Sequence, residues 1–152
     1  MQQLTLKVNK LQRLTSGIKS FEFVSPVGDD LPAFTAGAHL DFHLDNGLIR
    51  SYSLANNPEE LNRYVTAVLR EEMGGGGSKY MHDNVSVGDE LQVTGPSNNF
   101  ELVDISGTHI LLGGGIGITP LLAMGHKLKA ENRPSHLHYC TKSREETAFI
   151  EE

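Results

Sequence analysis

The sequence of 152 residues contains one cysteine, Cys140, no tryptophan, and few aromatic residues at 7%. A lone cysteine cannot close an intrachain disulfide. It also excludes a cysteine-ligated iron–sulfur cluster or a paired-cysteine zinc site within this chain, and it points to a reducing compartment. Basic residues are in deficit: 13 Lys and Arg against 19 Asp and Glu leave a formal charge of −6. A general nucleic-acid binder needs a net basic face, so nucleic acid is not an expected partner. No apolar run approaches the ~18–20 residues of a membrane span, and the N-terminus carries no signal-peptide core. Together these absences lead us to expect a soluble, cytoplasmic protein with no membrane partner. Among the seven histidines, His39 and His43 share a strand face, as do His136 and His138. Neither pair has a further ligand at a zinc-like spacing, so no metal site is expected.

Glycine is in excess: 16 in 152 residues, about 11% where ~7% is usual. Most of the excess gathers in two clusters, Gly74–Gly77 and Gly113–Gly117. Before about Leu102 the chain is short-period and alternating. Leu4, Leu6 and Val8 point one way, with Thr5, Lys7 and Asn9 between them. Similar runs follow at Ile18–Val24, Leu40–Leu44, Arg50–Leu54, Tyr64–Leu69 and Leu91–Val93. Period-two alternation suits antiparallel strands with one wet face. Turn chemistry separates them, including Asn46-Gly47, a hairpin signal, and Asn56-Asn57-Pro58. Six or so short strands at this spacing read as a small barrel or sandwich.

The pattern changes after Asp104. His109-Ile110-Leu111-Leu112 is a continuous apolar run that leads into the second glycine cluster. Pro120 to about Ala130 reads as a helix and Leu137-His138-Tyr139-Cys140 as another strand, with Cys140 buried as a small side chain. Glu145–Glu152 reads as the start of a second helix with a solvated acidic face. Strand, glycine loop, helix and strand open a parallel βαβ unit. Two strands and one helix do not complete a nucleotide-binding sheet, so we expect one whole domain followed by the first part of another.

The run Gly113-Gly114-Gly115-Ile116-Gly117-Ile118-Thr119-Pro120 joins the apolar strand to the helix. Glycines let main-chain amides approach a phosphate, and a helix N-terminus adds oriented N–H groups. Thr119 is expected as the N-cap and Pro120 at the first helical position. A tight turn without ligand is the plain alternative, but four glycines in five positions after a strand favour ligand binding. The cluster Gly74–Gly77 is not a Walker loop, since no Gly-Lys-Ser/Thr follows at the required spacing.

Arg50-Ser51-Tyr52-Ser53-Leu54 places Arg50 and Tyr52 on one strand face. A guanidinium can clamp a phosphate and a tyrosine ring can lie on an aromatic cofactor. Ser53 adds a hydroxyl and a main-chain N–H. Further on, Gly75-Gly76-Gly77-Ser78 leads into a short helix expected to be capped by Ser78, a second anion site. Arg50 and this turn could hold one phosphate between them. Arg70-Glu71-Glu72 reads as a solvated strand end.

These motifs, with Gly95-Pro96-Ser97-Asn98-Asn99-Phe100 between the two glycine clusters, occur in the order found in ferredoxin-reductase-like flavoproteins. The chain resembles in particular the group of phthalate dioxygenase reductases and vanillate demethylase reductases, over Leu4 to Phe149. The resemblance implies an all-β, six-stranded antiparallel Greek-key flavin-binding barrel over residues 1–103. Residues 104–152 would be the truncated βαβ start of an α/β NAD(P)-binding domain. FMN is the implied flavin, with FAD as the alternative. Arg50 would hold its phosphate, Tyr52 would pack on the isoalloxazine and Ser53 would sit by the reactive N5. Tyr52 and Ser53 are thus the residues nearest the chemistry. Leu54 would adjoin them, and the strand Ala67-Val68-Leu69 would line the flavin with main-chain groups. Gly76, Gly77 and Ser78 would complete the phosphate site. Gly114, Gly115, Gly117 and Thr119 would face NAD(P)H, and Ser143 and Arg144 the adenosine ribose. The implied activity is hydride transfer from NAD(P)H to flavin, then single-electron transfer to a 2Fe-2S centre in a C-terminal region outside this chain. The implied partner is a Rieske-type oxygenase component or its iron–sulfur domain. Gly75 stands where relatives often carry an arginine. Two other readings compete: a non-catalytic barrel acting as an interaction or electron-transfer docking module, and a FAD-type ferredoxin reductase.

Overall fold

The architecture is that of a computed structural model, in which residues 2–150 are described. Five strands come first: β1 (Gln3–Arg13), β2 (Ile18–Val24), β3 (His39–His43), β4 (Ile49–Ser53) and β5 (Tyr64–Leu69). The helix α1 (Gly77–Asn84) and strand β6 (Glu90–Ser97) follow. The six strands form one antiparallel sheet in the order β4-β3-β6-β1-β2-β5. β1 is long because it pairs on both sides, with β2 and with β6. The expected hairpin joins β3 to β4: Gly47 takes φ 81°, and Leu44 N–H donates to the Leu48 carbonyl at 2.8 Å.

The two end strands of this sheet approach one another, and the sheet curls into a barrel. Ala55 N–H donates to the Val65 carbonyl at 2.8 Å, and Thr66 Oγ1 donates to the Ser53 carbonyl at 2.8 Å. No strand ladder joins β4 to β5. The interior holds the alternating residues expected to face inward, including Leu6, Val8, Phe21, Phe23, Phe42 and Val93, all fully buried. Phe23 and Phe42 pack with ring centroids 5.2 Å apart. Met81 of α1 is also fully buried and belongs to this core, so the helix is anchored to the barrel. Burial of one such side chain contributes ~1.5–3 kcal/mol.

Strand β7 (His109–Gly114), helix α2 (Ile118–Ala130) and strand β8 (Ser135–Cys140) follow. β7 and β8 pair in parallel, as the strand–loop–helix–strand pattern implied. Gly113 lets the helix close on the strand, since a Cβ there would lie 2.9 Å from Leu121 Cδ1. The helix also packs on the barrel: Leu121, Leu122 and Met124 share a cluster with Ala36 and Ala55. Gly37 makes the tightest approach, at φ 97°, where a Cβ would stand 1.9 Å from the Phe100 carbonyl oxygen.

Five local expectations are corrected. Ser78 is not the N-cap of α1; Gly76 is, at φ 86°, with no side-chain cap, and the Ser78 hydroxyl accepts from Glu71 N–H at 3.1 Å. Thr119 is not the N-cap of α2. The chain makes a 3-10 turn at Gly115–Gly117, α2 begins at Ile118, and Thr119 lies in the first turn with its hydroxyl donating to the Ile116 carbonyl at 3.2 Å. Pro120 is therefore the third residue of the helix. Cys140 is exposed, because α2 covers only one face of the two-stranded sheet and leaves Ile110 and Leu112 on the other. The stretch expected as a second helix is a 3-10 turn at Arg144–Glu146; residues 151 and 152 of that stretch lie outside the described residues.

Candidate functional site

Arg50 pairs with Phe42, and Tyr52 with Leu40, across the β3–β4 hairpin. Directly opposed residues share a face, so both side chains stand on the side of the barrel that carries its core. β4 ends the sheet order, and its Arg50 lies against Gly75 and Gly77 at the start of α1. The guanidinium of Arg50 donates to the Ile49 carbonyl at 2.8 Å and to the Gly75 carbonyl at 3.2 Å. Among the described residues no carboxylate pairs with it. The glycine turn makes the room: a Cβ on Gly77 would lie 2.5 Å from Arg50 Cγ, and one on Gly75 would lie 2.8 Å from a terminal guanidinium nitrogen. Gly75 thus leaves the space that the Arg50 guanidinium uses. The first amides of α1 have no side-chain cap, and they sit beside this unpaired cation. The same helix is tied to the barrel wall. His82 Nε2 donates to the Val68 carbonyl at 2.8 Å, and Lys19 Nζ donates to the His82 carbonyl at 2.7 Å. Burial holds His82 below its ordinary value, with the Val68 bond acting against it.

Tyr52 packs on Phe42 with ring centroids 5.6 Å apart. Its hydroxyl is buried and has no hydrogen-bond partner among the described residues. Burial pushes its pKa up to about 12, with Arg50 opposing and Glu71 reinforcing the shift. Ser53 stands opposite His39 on the other face of the hairpin, and its carbonyl is taken by Thr66. Leu54 is fully buried in the barrel core, and its N–H donates to the Ala38 carbonyl at 2.8 Å.

The strand expected to line the ligand is β5. Val68 points into the core, Ala67 is buried against Ile18 and Ala148, and Leu69 is partly exposed. Main-chain groups alternate in direction along a strand. Arg70 N–H bonds Gly17, on the β2 side, and the Val65 carbonyl bonds Ala55, on the β4 side. By that alternation the amides and carbonyls of Ala67 and Leu69 point toward the gap between β4 and β5. The available polar groups of this strand are therefore main-chain ones.

The second glycine loop meets the same strand. The 3-10 turn at Gly115–Gly117 abuts β5, and Ile116 packs with Ala67 and Ile18. Gly115 takes φ 51°, and a Cβ at Gly114, Gly115 or Gly117 would meet nothing within 4 Å. Thr119 is buried, so its contribution is to hold the turn. The Ser143 carbonyl accepts from the Thr141 and Thr147 hydroxyls. Arg70 is engaged at the surface with Glu72 at 2.5 Å and with Asp83. Among the described residues no group of three metal-ligating side chains comes together. Among the described residues no helix is long and apolar enough to cross a membrane.

The sequence reading missed the latch behind the site. Arg63 donates to Glu22 at 2.7 Å and bidentately to Glu60, while Asn56 donates to Glu60 and accepts from Val65 N–H. These groups line a cleft of about 620 Å³ between β1, β2, the 55–65 loop and α2. None of the motif residues lines it, and its Arg63 is neutralised by its own carboxylates, so we do not place the chemistry there. The only local signal was the turn Asn56-Asn57-Pro58. Its partner Glu22 is 41 residues from Arg63.

An unpaired arginine over a glycine turn, a buried phenol without a partner and a strand with free main-chain groups fit a ligand that joins phosphate to an aromatic ring. Comparison with known proteins agrees. Residues 5–102 match the family model described as the oxidoreductase FAD-binding domain. The vanillate O-demethylase oxidoreductase of Acinetobacter baylyi is 46% identical over 142 residues, 93% of this chain and 45% of that protein. The phthalate 4,5-dioxygenase oxygenase reductase subunit of Pseudomonas putida is 49% identical over 148 residues, 97% of this chain and 46% of that protein. The solved structure of phthalate dioxygenase reductase superposes with a TM-score of 0.95 at 44% identity, covering 98% of this chain and 47% of that one. The chain spans about half the length of the curated relatives it matches. The strand order of the barrel, the arginine-bearing edge strand with its glycine turn, and a family match over most of the chain agree: this chain belongs to the oxidoreductase FAD-binding domain family.

Proposed function

We propose that the chain is the flavin-binding part, with the start of the pyridine-nucleotide part, of a reductase component. That component takes hydride from NAD(P)H and passes electrons singly, through a 2Fe-2S centre outside this chain, to a Rieske-type oxygenase or demethylase. Residues 1–103 form the flavin barrel in this reading and residues 104–152 begin the nucleotide domain. The observation that carries it is Arg50, held by two carbonyls over the Gly75–Gly77 turn and paired with no carboxylate among the described residues. Relatives that are themselves oxygenase reductases support the partner.

When bound, the flavin supplies the redox chemistry, accepting a hydride and releasing electrons one at a time. The residues of this chain bind and orient it. Arg50 clamps the phosphate, and the amides after Gly76, Gly77 and Ser78 add N–H donors. Tyr52 gives its ring to the isoalloxazine, and Ser53 lies beside it at the strand end. Ala67 and Leu69 offer main-chain groups. Gly114, Gly115 and Gly117 leave open main chain for NAD(P)H, and Thr119 keeps their turn in shape.

We assign FMN because Arg50 and a single glycine turn make a site for one phosphate group. The test is to saturate the purified chain with FMN and FAD together, then release the bound cofactor and identify it by mass. FMN supports the assignment and FAD replaces it; a chain that takes up neither refutes flavin binding. Bleaching of the bound flavin by NADH tests the hydride step separately.

A further inference from the structure

We infer that Thr66 is a positioning residue for the flavin-facing strand, its hydroxyl setting the peptide that follows Ser53. The inference rests on the flavin reading above and extends it to a residue that belongs to none of the sequence motifs.

The barrel closes between strands that are not laddered together. Along this seam one main-chain bond joins Ala55 N–H to the Val65 carbonyl at 2.8 Å. The next tie is a side chain: Thr66 Oγ1 donates to the Ser53 carbonyl at 2.8 Å. The amide of the same peptide, Leu54 N–H, donates to the Ala38 carbonyl at 2.8 Å. The Ser53–Leu54 peptide is therefore fixed at its oxygen by Thr66 and at its nitrogen by Ala38.

Thr66 is fully buried between the inward side chains of Tyr64 and Val68. A valine would fill the same space, so packing alone does not call for a hydroxyl. Threonine is stiff at χ1, which makes it a short, rigid strut. Beyond this tie no ladder joins the strands, and Tyr52, next to Ser53, has a buried hydroxyl with no partner among the described residues. Without the Thr66 hydroxyl, the part-buried Ser53 carbonyl would lose the partner that fixes it, and the peptide would gain freedom to rotate. Rotation there carries Ser53 and Tyr52 out of line with the gap.

The test uses Thr66→Val and Thr66→Ser in the full chain. FMN affinity is read by quenching of flavin fluorescence, and amide hydrogen exchange at Leu54 and Ala55 is read without flavin. We expect Thr66→Val to weaken FMN by about tenfold and to speed exchange at Leu54 by about the same factor. Exchange at Phe42 and Val93 in the barrel wall stays unchanged, and Thr66→Ser restores both readouts. The inference is overturned if Thr66→Val binds FMN like the parent, fails to fold, or exchanges faster throughout the barrel, or if Thr66→Ser behaves like Thr66→Val. A parent chain that takes up no FMN refutes the flavin reading and the role with it. Unchanged exchange at Leu54 refutes Thr66 alone.

Discussion

Replacing Arg50 by alanine tests the phosphate site directly. In the protein alone the guanidinium donates to two carbonyls, of Ile49 at 2.8 Å and Gly75 at 3.2 Å. Both lie where water can replace the donor, so the change in folding stability should stay below ~1 kcal/mol. Its effect on a phosphate is larger. Hydrogen bonds to charged groups contribute ~1.5–3 kcal/mol. Two bidentate bonds would exceed that range if fully buried, but Arg50 is only half-buried and solvent screens part of the gain. We therefore assign about 1.5–3 kcal/mol to the whole contact, roughly a 10- to 150-fold rise in Kd for FMN. The informative assay titrates the parent and Arg50→Ala with FMN and with riboflavin, which has the same ring and no phosphate. FMN affinity should fall toward that of riboflavin, while riboflavin affinity holds. Arg50→Lys should recover only part, because an ammonium keeps the charge and loses the bidentate geometry. Equal losses for both ligands would place Arg50 against the ring, and no loss for either would remove it from the site.

Gly77→Ala should mimic Arg50→Ala, because its Cβ would stand 2.5 Å from Arg50 Cγ and 2.6 Å from Nε and must turn the side chain away. The double substitution should then be little worse for FMN than either single one; additive losses in the same titration would contradict this. Gly37→Ala should cost about 3 kcal/mol or more in a denaturant titration, combining a strained positive φ with a clash, since its Cβ would lie 1.9 Å from the Phe100 carbonyl oxygen. A parent-like midpoint would show that Gly37 does not lie against the Phe100 carbonyl. The latch should give a pH signature. Hydrogen bonding from Arg63 holds the Glu60 carboxyl below 4.5 against the effect of its burial. A lowered folded-state pKa contributes stability above the unfolded value, and that contribution is lost as pH falls through the folded one. Glu60→Gln should therefore destabilise by about 1 kcal/mol at neutral pH, with the difference from the parent shrinking as the pH drops below 4.5. A difference that persists in acid would assign the loss to packing.

The barrel was legible because its strands alternate and its turns carry Gly47 and Asn57 where backbone geometry asks for them. Arg50 and Tyr52 were legible as a pair because a two-residue spacing fixes a shared face whatever surrounds the strand. Both helices start two residues before the expected positions, and for a physical reason. A Ser or Thr before an apolar run is the usual cap, but at α1 a left-handed glycine takes that position. At α2 the strand runs into its own glycines and a 3-10 turn intervenes. Cys140 looked buried because an apolar strand was assumed to be covered on both faces, and α2 covers one.

What escaped the sequence altogether is the support of the site, and this has a consequence for how the motif works. Glu22 and Arg63, or Thr66 and Ser53, share no local pattern; they meet only because the end strands of the sheet come together. The motif residues are therefore held by groups outside the motif. Arg50 takes its place from glycines 25 and 27 residues away, Tyr52 from Phe42 across a hairpin, and Ser53 from Thr66 across an unladdered seam. A seam tied by so few bonds is also the part of the barrel with main-chain donors to spare. The same economy that leaves β4 and β5 unpaired leaves Ala67 and Leu69 free to bond a ligand. Closing that gap with a full ladder would stabilise the empty barrel and remove the surface on which an aromatic ring could lie.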